Sequence, residues 1–289
     1  MKRFWIGFVS ILFLFWIDAK AETLAYLTYR EHIGWQIRIC ETTQRCQTIP
    51  TRLEPWSFDY DPVTRSLLYT SGDGKVRAVE NGKERIAIAS DRDAFTQPRF
   101  LNNSKEAIVV RLLEKNSKKT KIEKFSLKKP AHREILVSQS STALDPWIDR
   151  TGRLFFANVS CANGCGRIIQ EIWLRDLSGM TSQITLENRL AHQPSFDSDT
   201  ERLYYSAKTS DGYTIYRIDL AKRECRGQAV SPKKGAIDTW PSPDGRGGVY
   251  FLRSLEGRTV LLHIDANGSV EEVPLPPSDK KIRNIKVYP

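Results

Sequence analysis

The residues best suited to chemistry are polar and aromatic side chains that recur just before a short apolar strand. In five places a polar or acidic residue precedes proline or tryptophan, an apolar residue and a turn, as in Glu54-Pro55-Trp56-Ser57-Phe58-Asp59. If these segments converge, their polar groups can orient a ligand while the aromatic rings supply apolar contact. The predicted site, for a peptide or a sugar, comprises Glu54, Trp56, Gln97, Asp145, Trp147, His192, Asp238 and Trp240.

Other interpretations of these residues remain open. The polar side chains could instead cap the backbone of neighbouring strands, and Trp147 could belong to an apolar core. Glu54, Asp145 and Asp238 could act as acid and base, although sequence does not give the separation of their carboxyl groups. A carbohydrate-binding protein, lyase or glycosidase is therefore the alternative to a protein-binding function.

Nothing else in the sequence indicates catalysis. The chain has four histidines and no Gly-x-Ser-x-Gly segment of the kind that presents a nucleophilic serine. Cys161 and Cys165 could begin a zinc site, but no further ligands follow at a suitable spacing. We therefore predict that the chain is not an enzyme and that it uses no metal or other cofactor.

A lysine-rich segment indicates an anionic partner or, equally simply, a solvated hairpin. Only Glu114 and Glu123 offset its charge. Runs of like charge of this kind are most often solvent-exposed surface, and base-stacking motifs for nucleic acid are absent. The candidate patch comprises Lys115, Lys118, Lys119, Lys121, Lys124, Lys128 and Lys129.

The cysteines predict two disulfides. Cys40 and Cys46 flank a predicted hairpin turn, where directly opposed residues are within bonding range. Cys161 and Cys165 are close together in a glycine-containing loop. Cys225 is predicted to be a free, half-buried thiol.

An internal repeat organises the chain and predicts its fold. The matched positions Phe58, Phe100, Ile148, Phe196 and Ser242 lie 42, 48, 48 and 46 residues apart. Each copy is followed by short alternating strands, and turns such as Asn267-Gly268 favour hairpins. Four strands per copy and a period in the forties predict an all-β propeller with four-stranded blades.

The two ends of the chain together supply a sixth copy. Leu24–Thr28, Trp35–Ile39 and Gln47–Pro50 match the second, third and fourth strands of a blade, and Ile282–Tyr288 matches the missing first strand. We therefore predict a six-bladed propeller closed by pairing the C-terminal strand with the N-terminal blade, which leaves no sheet edge exposed.

The repeat also resembles a known family. Pro194-Ser195-Phe196-Asp197-Ser198-Asp199, Leu203-Tyr204-Tyr205-Ser206 and Ser242-Pro243-Asp244-Gly245 are similar to the repeats of TolB-like propellers. The resemblance covers the propeller alone, without the N-terminal α/β domain of TolB. It implies a scaffold in the cell envelope that binds a protein or peptide or assists translocation. The repeat residues themselves serve to fold the blade and specify no ligand.

The N-terminus indicates export. A basic start, an apolar run from Phe4 to Ile17 and Ala19-Lys20-Ala21 predict a signal peptide over residues 1–21 and a propeller over 22–289. An uncleaved anchor, as in a sensor ectodomain, is the alternative. We expect a periplasmic or secreted monomer with no membrane span after cleavage.

Charge narrows the expected partner. Cleavage would remove three cations and one anion and leave a net charge of +8. A basic exported protein attracts anionic partners. We therefore expect an envelope protein or peptide that can be anionic, and no nucleic acid.

Overall fold

The computed structural model describes residues 22–42, 45–101, 105–116, 118–138, 141–161, 168–279 and 281–289. Within these ranges the chain forms 24 β-strands and two short 3₁₀ turns. None of the helical segments there is long and apolar enough to cross a membrane. The prediction of an all-β fold is confirmed.

The two ends of the chain share one antiparallel sheet. Its strands are β1 (Thr23–Arg30), β2 (Gly34–Thr42), β3 (Arg45–Ile49) and β24 (Ile282–Tyr288). Their order is β24-β1-β2-β3, and Thr23 lies opposite Tyr288. The C-terminal strand therefore occupies the first position of the N-terminal blade, as predicted.

Three further sheets have four strands in sequence order. The first contains β4 (Pro55–Asp61), β5 (Ser66–Ser71), β6 (Val76–Glu80) and β7 (Lys83–Ile88). The second contains β8 (Ala94–Phe100), β9 (Glu106–Leu112), β10 (Thr120–Ser126) and β11 (Arg133–Val137). The third contains β12 (Ala143–Ile148), β13 (Leu154–Cys161), β14 (Ile169–Arg175) and β15 (Thr181–Gln183).

The remaining eight strands form one sheet. It begins with β16 (Ala191–Asp197), β17 (Arg202–Lys208), β18 (Tyr213–Asp219) and β19 (Gln228–Ala229). It continues with β20 (Ile237–Pro243), β21 (Val249–Leu255), β22 (Arg258–Ile264) and β23 (Val270–Val273). The structure thus confirms four-stranded blades. The strand pairing of the described residues gives five sheets, however, and not the six separate blades that the sequence predicts.

The core lies between neighbouring sheets, because strands packed on both faces need apolar side chains on both. Phe155 of β13 and Phe196 of β16 stack across one such interface with ring centroids 4.6 Å apart. Tyr69, Tyr205 and Phe251 are also fully buried. This packing holds the first strand of each blade in a fixed position near the centre.

The structure tests two of the predictions made for the cysteines. Cys40 and Cys46 lie directly opposite each other on β2 and β3 and form a disulfide, as predicted. Cys225 is free but exposed, so its predicted half-burial is wrong. Cys165 lies outside the described residues, as does the side chain of Cys161, and their pairing stays a prediction.

Candidate functional site

The first strands of the blades, β4, β8, β12, β16, β20 and β24, are called the innermost strands. Five of them carry the same irregularity, a one-residue shift of register against the second strand, in which three residues of the innermost strand span two of its partner. It falls between Thr96 and Arg99 in β8 and between Leu144 and Trp147 in β12. In β16, β20 and β24 it ends at Ser195, Ser242 and Lys286. A β-bulge of this kind turns a side chain away from the ladder and toward the neighbouring strand.

Each bulge begins with a residue in the left-handed region. The φ angles are 52° at Gln97 and Asp145, 53° at Gln193 and Asn284, and 58° at Trp240. None of these side chains is branched at Cβ, and a proline follows each except Asn284. Proline suits the second bulge position because it donates no ladder hydrogen bond.

The bulge residues form a chain of hydrogen bonds from blade to blade. The N–H of Gln97 donates to Ser57 Oγ (2.9 Å), and the N–H of Asp145 donates to Gln97 Oε1 (2.8 Å). The N–H of Gln193 donates to Asp145 Oδ2 (3.1 Å), and that of Trp240 donates to Gln193 Oε1 (2.8 Å). Gln97, Asp145 and Gln193 therefore cap the backbone of the next blade, the alternative role considered from sequence.

A cavity of about 140 Å³ opens where the innermost strands meet; we call it the channel cavity. Its outer rim includes Trp56, whose side chain is 57% exposed. Its lining includes residues from all six innermost strands. These are Trp56, Ser57, Phe58, Thr96, Gln97, Pro98, Arg99, Asp145, Pro146, Gln193, Pro194, Trp240, Pro241, Asn284, Ile285 and Lys286.

The structure brings half of the predicted site residues together. Trp56, Gln97, Asp145 and Trp240 line the channel cavity, whereas Glu54, Trp147, His192 and Asp238 do not. The sequence alignment of the fifth copy is displaced by one residue. Its matched positions Phe196 and Ser242 put Thr239 in register with Gln193, each three residues earlier, but the bulge places Trp240 there.

Two of the predicted carboxylates serve other contacts. Glu54 is exposed and accepts a hydrogen bond from the N–H of Trp35 (2.9 Å). Asp238 is fully buried and pairs with Arg253 through Nε and Nη2, at 2.8 and 2.7 Å. Burial raises the pKa of Asp238, and Arg253 offsets part of that rise.

The other two predicted residues that miss the cavity lie against aromatic or cationic neighbours. The ring of His192 contacts Tyr213 edge-on at 5.1 Å, and burial lowers its pKa despite the charge of Asp145. Trp147 lies under the guanidinium of Arg99, 4.2 Å from ring centroid to Cζ. It also lines a second cavity with Phe196 and Pro243, where the innermost strands end.

Sequence reasoning missed a buried ion pair in the channel wall. Lys286 is 4% exposed, and its Nζ donates to Asp59 Oδ1 at 2.8 Å. Tyr288 Oη donates to the same oxygen at 2.9 Å, and the N–H of Phe100 donates to Asp59 Oδ2 at 2.8 Å. Burial, reinforced by the charge of Arg99 and partly offset by Asp59, lowers the pKa of Lys286 to about 7.

One sequence signal could have revealed this pair. Arg99 and Lys286 each stand two residues after the left-handed residue of their strand. The same position holds Trp147 in β12, Ser195 in β16 and Ser242 in β20. Two cations at a repeat position that is otherwise uncharged mark a special part of the channel.

The lysine-rich segment is divided by the fold. Lys115, Lys118 and Lys119 precede β10, whereas Lys128 and Lys129 follow it. A strand of seven residues separates these groups by roughly 20 Å, because each residue rises about 3.3 Å. Within the strand, Lys121 is partly buried and Lys124 pairs with Glu134 at 2.7 Å. The seven lysines are therefore spread over both ends of one blade.

The histidine with carboxylate partners is His263. Its Nε2 lies 3.0 Å from Asp244 Oδ2 and its Nδ1 lies 3.2 Å from Glu271 Oε1. Burial would lower its pKa, but these two carboxylates outweigh burial and raise it. Both ring nitrogens are engaged, so this arrangement does not hold a nucleophile. Throughout the described ranges, no cluster of three His, Cys, Asp or Glu side chains could hold a metal ion.

Comparison with solved structures shows the fold. TolB from Acinetobacter baumannii is similar with a TM-score of 0.74 and 14% identity, over 93% of this chain and 67% of that one. A protein assigned as TolB from Agrobacterium tumefaciens gives a TM-score of 0.65 and 12% identity, over 93% and 99%. The chain thus has a TolB-like propeller fold. No family model and no curated protein sequence matches it.

The comparison also corrects one prediction. A puromycin-hydrolysing peptidase of Mycobacterium tuberculosis matches with a TM-score of 0.62 and 12% identity, over 89% of this chain and 46% of that one. The prediction that the chain is not an enzyme is contradicted, because this fold is shared with hydrolases. At this identity the likeness concerns the fold, and the peptidase is about twice as long as the matched part.

Proposed function

We propose that this chain is an exported propeller that binds a segment of an envelope protein at the entrance of its channel. The observation that carries the proposal is the channel cavity, which lies at the junction of the innermost strands beside an exposed tryptophan. Concave sites with apolar walls and a few convergent polar groups are typical of binding sites. Trp56, Trp240 and the bulge prolines supply the apolar walls, and Gln97 and Asp145 supply polar groups.

We further propose that the propeller has six blades. The eight-stranded sheet is continuous only through one parallel pair, Tyr213 and Ile237, between β18 and β20. On each side of that pair stand four antiparallel strands with their own innermost strand, β16 or β20. Six innermost strands around one channel are consistent with the repeat spacing.

Two features support export. Residues 1–21 have the pattern of a signal peptide, which would leave Glu22 as the first residue. The disulfide between Cys40 and Cys46 fits an oxidising compartment such as the periplasm. N-terminal sequencing of the protein from cell envelopes tests this step. A start at Met1 would indicate an anchored chain instead.

The size of the channel cavity favours a peptide segment over a larger ligand. Sites that enclose a small molecule usually measure about 300–1,000 Å³. The channel cavity, at about 140 Å³, admits one side chain or one chain end while the rest of the partner stays outside. Carbohydrate binding is the second candidate, favoured by the exposed indole of Trp56, which could face a sugar ring.

Crosslinking of the purified protein to envelope extracts tests the proposed function. Trp56→Ala should abolish recovery of a specific protein partner, because it removes apolar contact area at the rim. Leu177→Ala is the matched control, since Leu177 is 68% exposed and lies beside Gly152, at the opposite ends of the innermost strands. The proposal would be contradicted if wild type, Trp56→Ala and Leu177→Ala all recovered the same amount of protein partner. Recovery of oligosaccharide alone would also contradict it.

A further inference from the structure

The channel cavity has an excess of positive charge. Its charged lining residues are Arg99, Lys286 and Asp145. Asp145 is engaged on both oxygens, with the side-chain amide of Gln97 on Oδ1 and the N–H of Gln193 on Oδ2. The one carboxylate of the lining therefore holds the backbone, while the two cations face the cavity from β8 and β24.

Arg99 has no carboxylate partner within the described residues. Its guanidinium is half-buried and stacks on the ring of Trp147. Such stacking fixes the plane of the group and leaves its N–H donors on the edge, where they can bind a carboxylate side by side. An arginine held in this way is ready to receive an anion.

Lys286 lies close enough to Arg99 for their charges to repel. An ammonium group has three donors, and among the described residues Lys286 uses one of them, toward Asp59. Asp59 divides its oxygens among Lys286, Tyr288 and the N–H of Phe100. One carboxylate thus balances two nearby cations.

We propose that Arg99 and Lys286 form a carboxylate subsite that receives an acidic side chain, or the C-terminal carboxylate, of the inserted partner segment. This inference rests on the proposed function and names the chemistry of its ligand. A bound carboxylate would restore charge balance and supply acceptors for the free donors of both cations. Prolines of the cavity lining, among them Pro98 and Pro241, are apolar neighbours, and charge-assisted bonds are stronger in apolar surroundings than in water.

Binding at this subsite should depend on pH. A carboxylate beside Lys286 favours its charged form, so binding above neutrality takes up a proton. The ionisable groups that face this amine are Asp59 from β4, Arg99 from β8 and Tyr288 from β24. Burial raises the pKa of Tyr288 well above its usual value and keeps it neutral. Affinity should therefore fall as the pH rises from about 7.

Selection from a random peptide library, with free and amidated C-termini, tests the subsite. The wild-type protein should select peptides that carry Asp, Glu or a free C-terminus. Arg99→Gln should weaken these peptides roughly ten- to a hundredfold, as expected for the loss of a charge-assisted hydrogen bond. Arg150→Gln, an exposed arginine at the other end of the channel, should leave affinity unchanged.

Titration of the unmutated protein with acetate provides a readout that does not depend on variants. The side-chain carbon signals of Lys286 should shift, and its pKa should rise. If the selected peptides lacked carboxylates and bound wild type and Arg99→Gln with equal affinity, the subsite would be overturned but not the proposed function. Acetate binding without any peptide binding would assign the subsite to a free small carboxylate. Arg99-dependent binding of trigalacturonate alone would replace the peptide by an acidic sugar.

Discussion

The amine of Lys286 is unusual because it is buried, ionisable near neutral pH and part of the channel wall. Two charges removed from water recover their desolvation cost only with good geometry and further hydrogen bonds. Asp59 meets that condition, since Lys286, Tyr288 and the N–H of Phe100 all donate to it. The pair links β24 to β4 and β8, so it belongs both to the site and to the closure of the ring.

Lys286 should make the empty protein more stable as the pH rises above neutrality. The unfolded chain holds this proton up to about pH 10.5, whereas the folded chain releases it near pH 7. Between these values the unfolded state binds more protons, so the free energy of unfolding increases with pH. Urea unfolding between about pH 7 and about pH 9 should show this increase in wild type and in Lys128→Met. An undiminished increase in Lys286→Met would contradict the assignment.

His263 should have the opposite pH dependence. Its folded pKa is raised above 6.5 because Asp244 and Glu271 outweigh burial. Its contribution to stability is complete below about pH 6.5 and is lost as the pH rises through the folded value. His263→Gln should remove this loss, whereas the exposed His132→Gln should retain it. Chemical shifts of the His263 ring would give the folded pKa directly, and a value below 6.5 would contradict the prediction.

At the scale of the strands, the bulges both line the channel and supply the side chains that cap backbone N–H groups of the next blade. A side chain released from the ladder reaches the N–H of the next bulge, as in the series from Ser57 through Gln97 and Asp145. The series stops at Trp240, which has no oxygen to offer. Between β20 and β24 the connecting bond is made by Ser242 instead, whose Oγ accepts from the N–H of Val287 at 2.8 Å.

Asp145→Ala should destabilise the protein by about 1–3 kcal/mol, because it leaves the N–H of Gln193 without its acceptor. Asp145→Asn should cost less, since an amide oxygen can accept the same bond and asparagine tolerates the left-handed backbone. Asp91→Ala, at an exposed loop position, is the control. Equal urea midpoints for the alanine and asparagine variants would argue against the capping role.

The disulfide between β2 and β3 should contribute roughly 2 kcal/mol, because the loop that it closes is short. Replacing Cys40 and Cys46 together by serine should lower the free energy of unfolding by that amount. Cys225→Ser should leave it unchanged, since that thiol is exposed and free. A reducing agent should lower the stability of wild type to the level of the double variant. No effect of reduction would contradict the bond.

The sequence predicted the strands well because alternation and turn residues act locally. The shared blade of β24, β1, β2 and β3 followed from a copy that lacked its first strand. The bulges were harder to predict, since they depend on backbone φ angles and on contacts between blades. A single residue of misalignment in the fifth copy therefore placed Thr239 where Trp240 lies. Lys286 was missed because its partner, Asp59, is 227 residues away in the chain.

At the scale of the whole molecule, the ring is closed by strand pairing inside one blade. Five pairs from Thr23 with Tyr288 to Thr28 with Ile282, interrupted by one bulge, connect the two ends of the chain. Elsewhere, blades meet through side chains and through scattered backbone contacts, among them the pairs Tyr213–Ile237 and Gln170–Leu190. A closure made of backbone hydrogen bonds resists opening better than one made of packing alone, because its bonds must break together.

Circular permutation should show how much this shared blade contributes. A short linker can join Pro289 to Glu22, since Thr23 and Tyr288 are directly paired. New ends within a blade, at Asn81-Gly82, keep a closure made of strand pairing between β6 and β7 and should preserve wild-type stability. New ends between blades, at Asp91-Arg92, leave no paired strands across the cut, but side-chain contacts such as the bond from Gln97 to Ser57 and a backbone bond from Phe95 to Gly74. That protein should unfold at lower urea and expose sheet surface that favours oligomers. Equal stability of the two permutants would mean that packing between blades, rather than the shared blade, holds the ring closed.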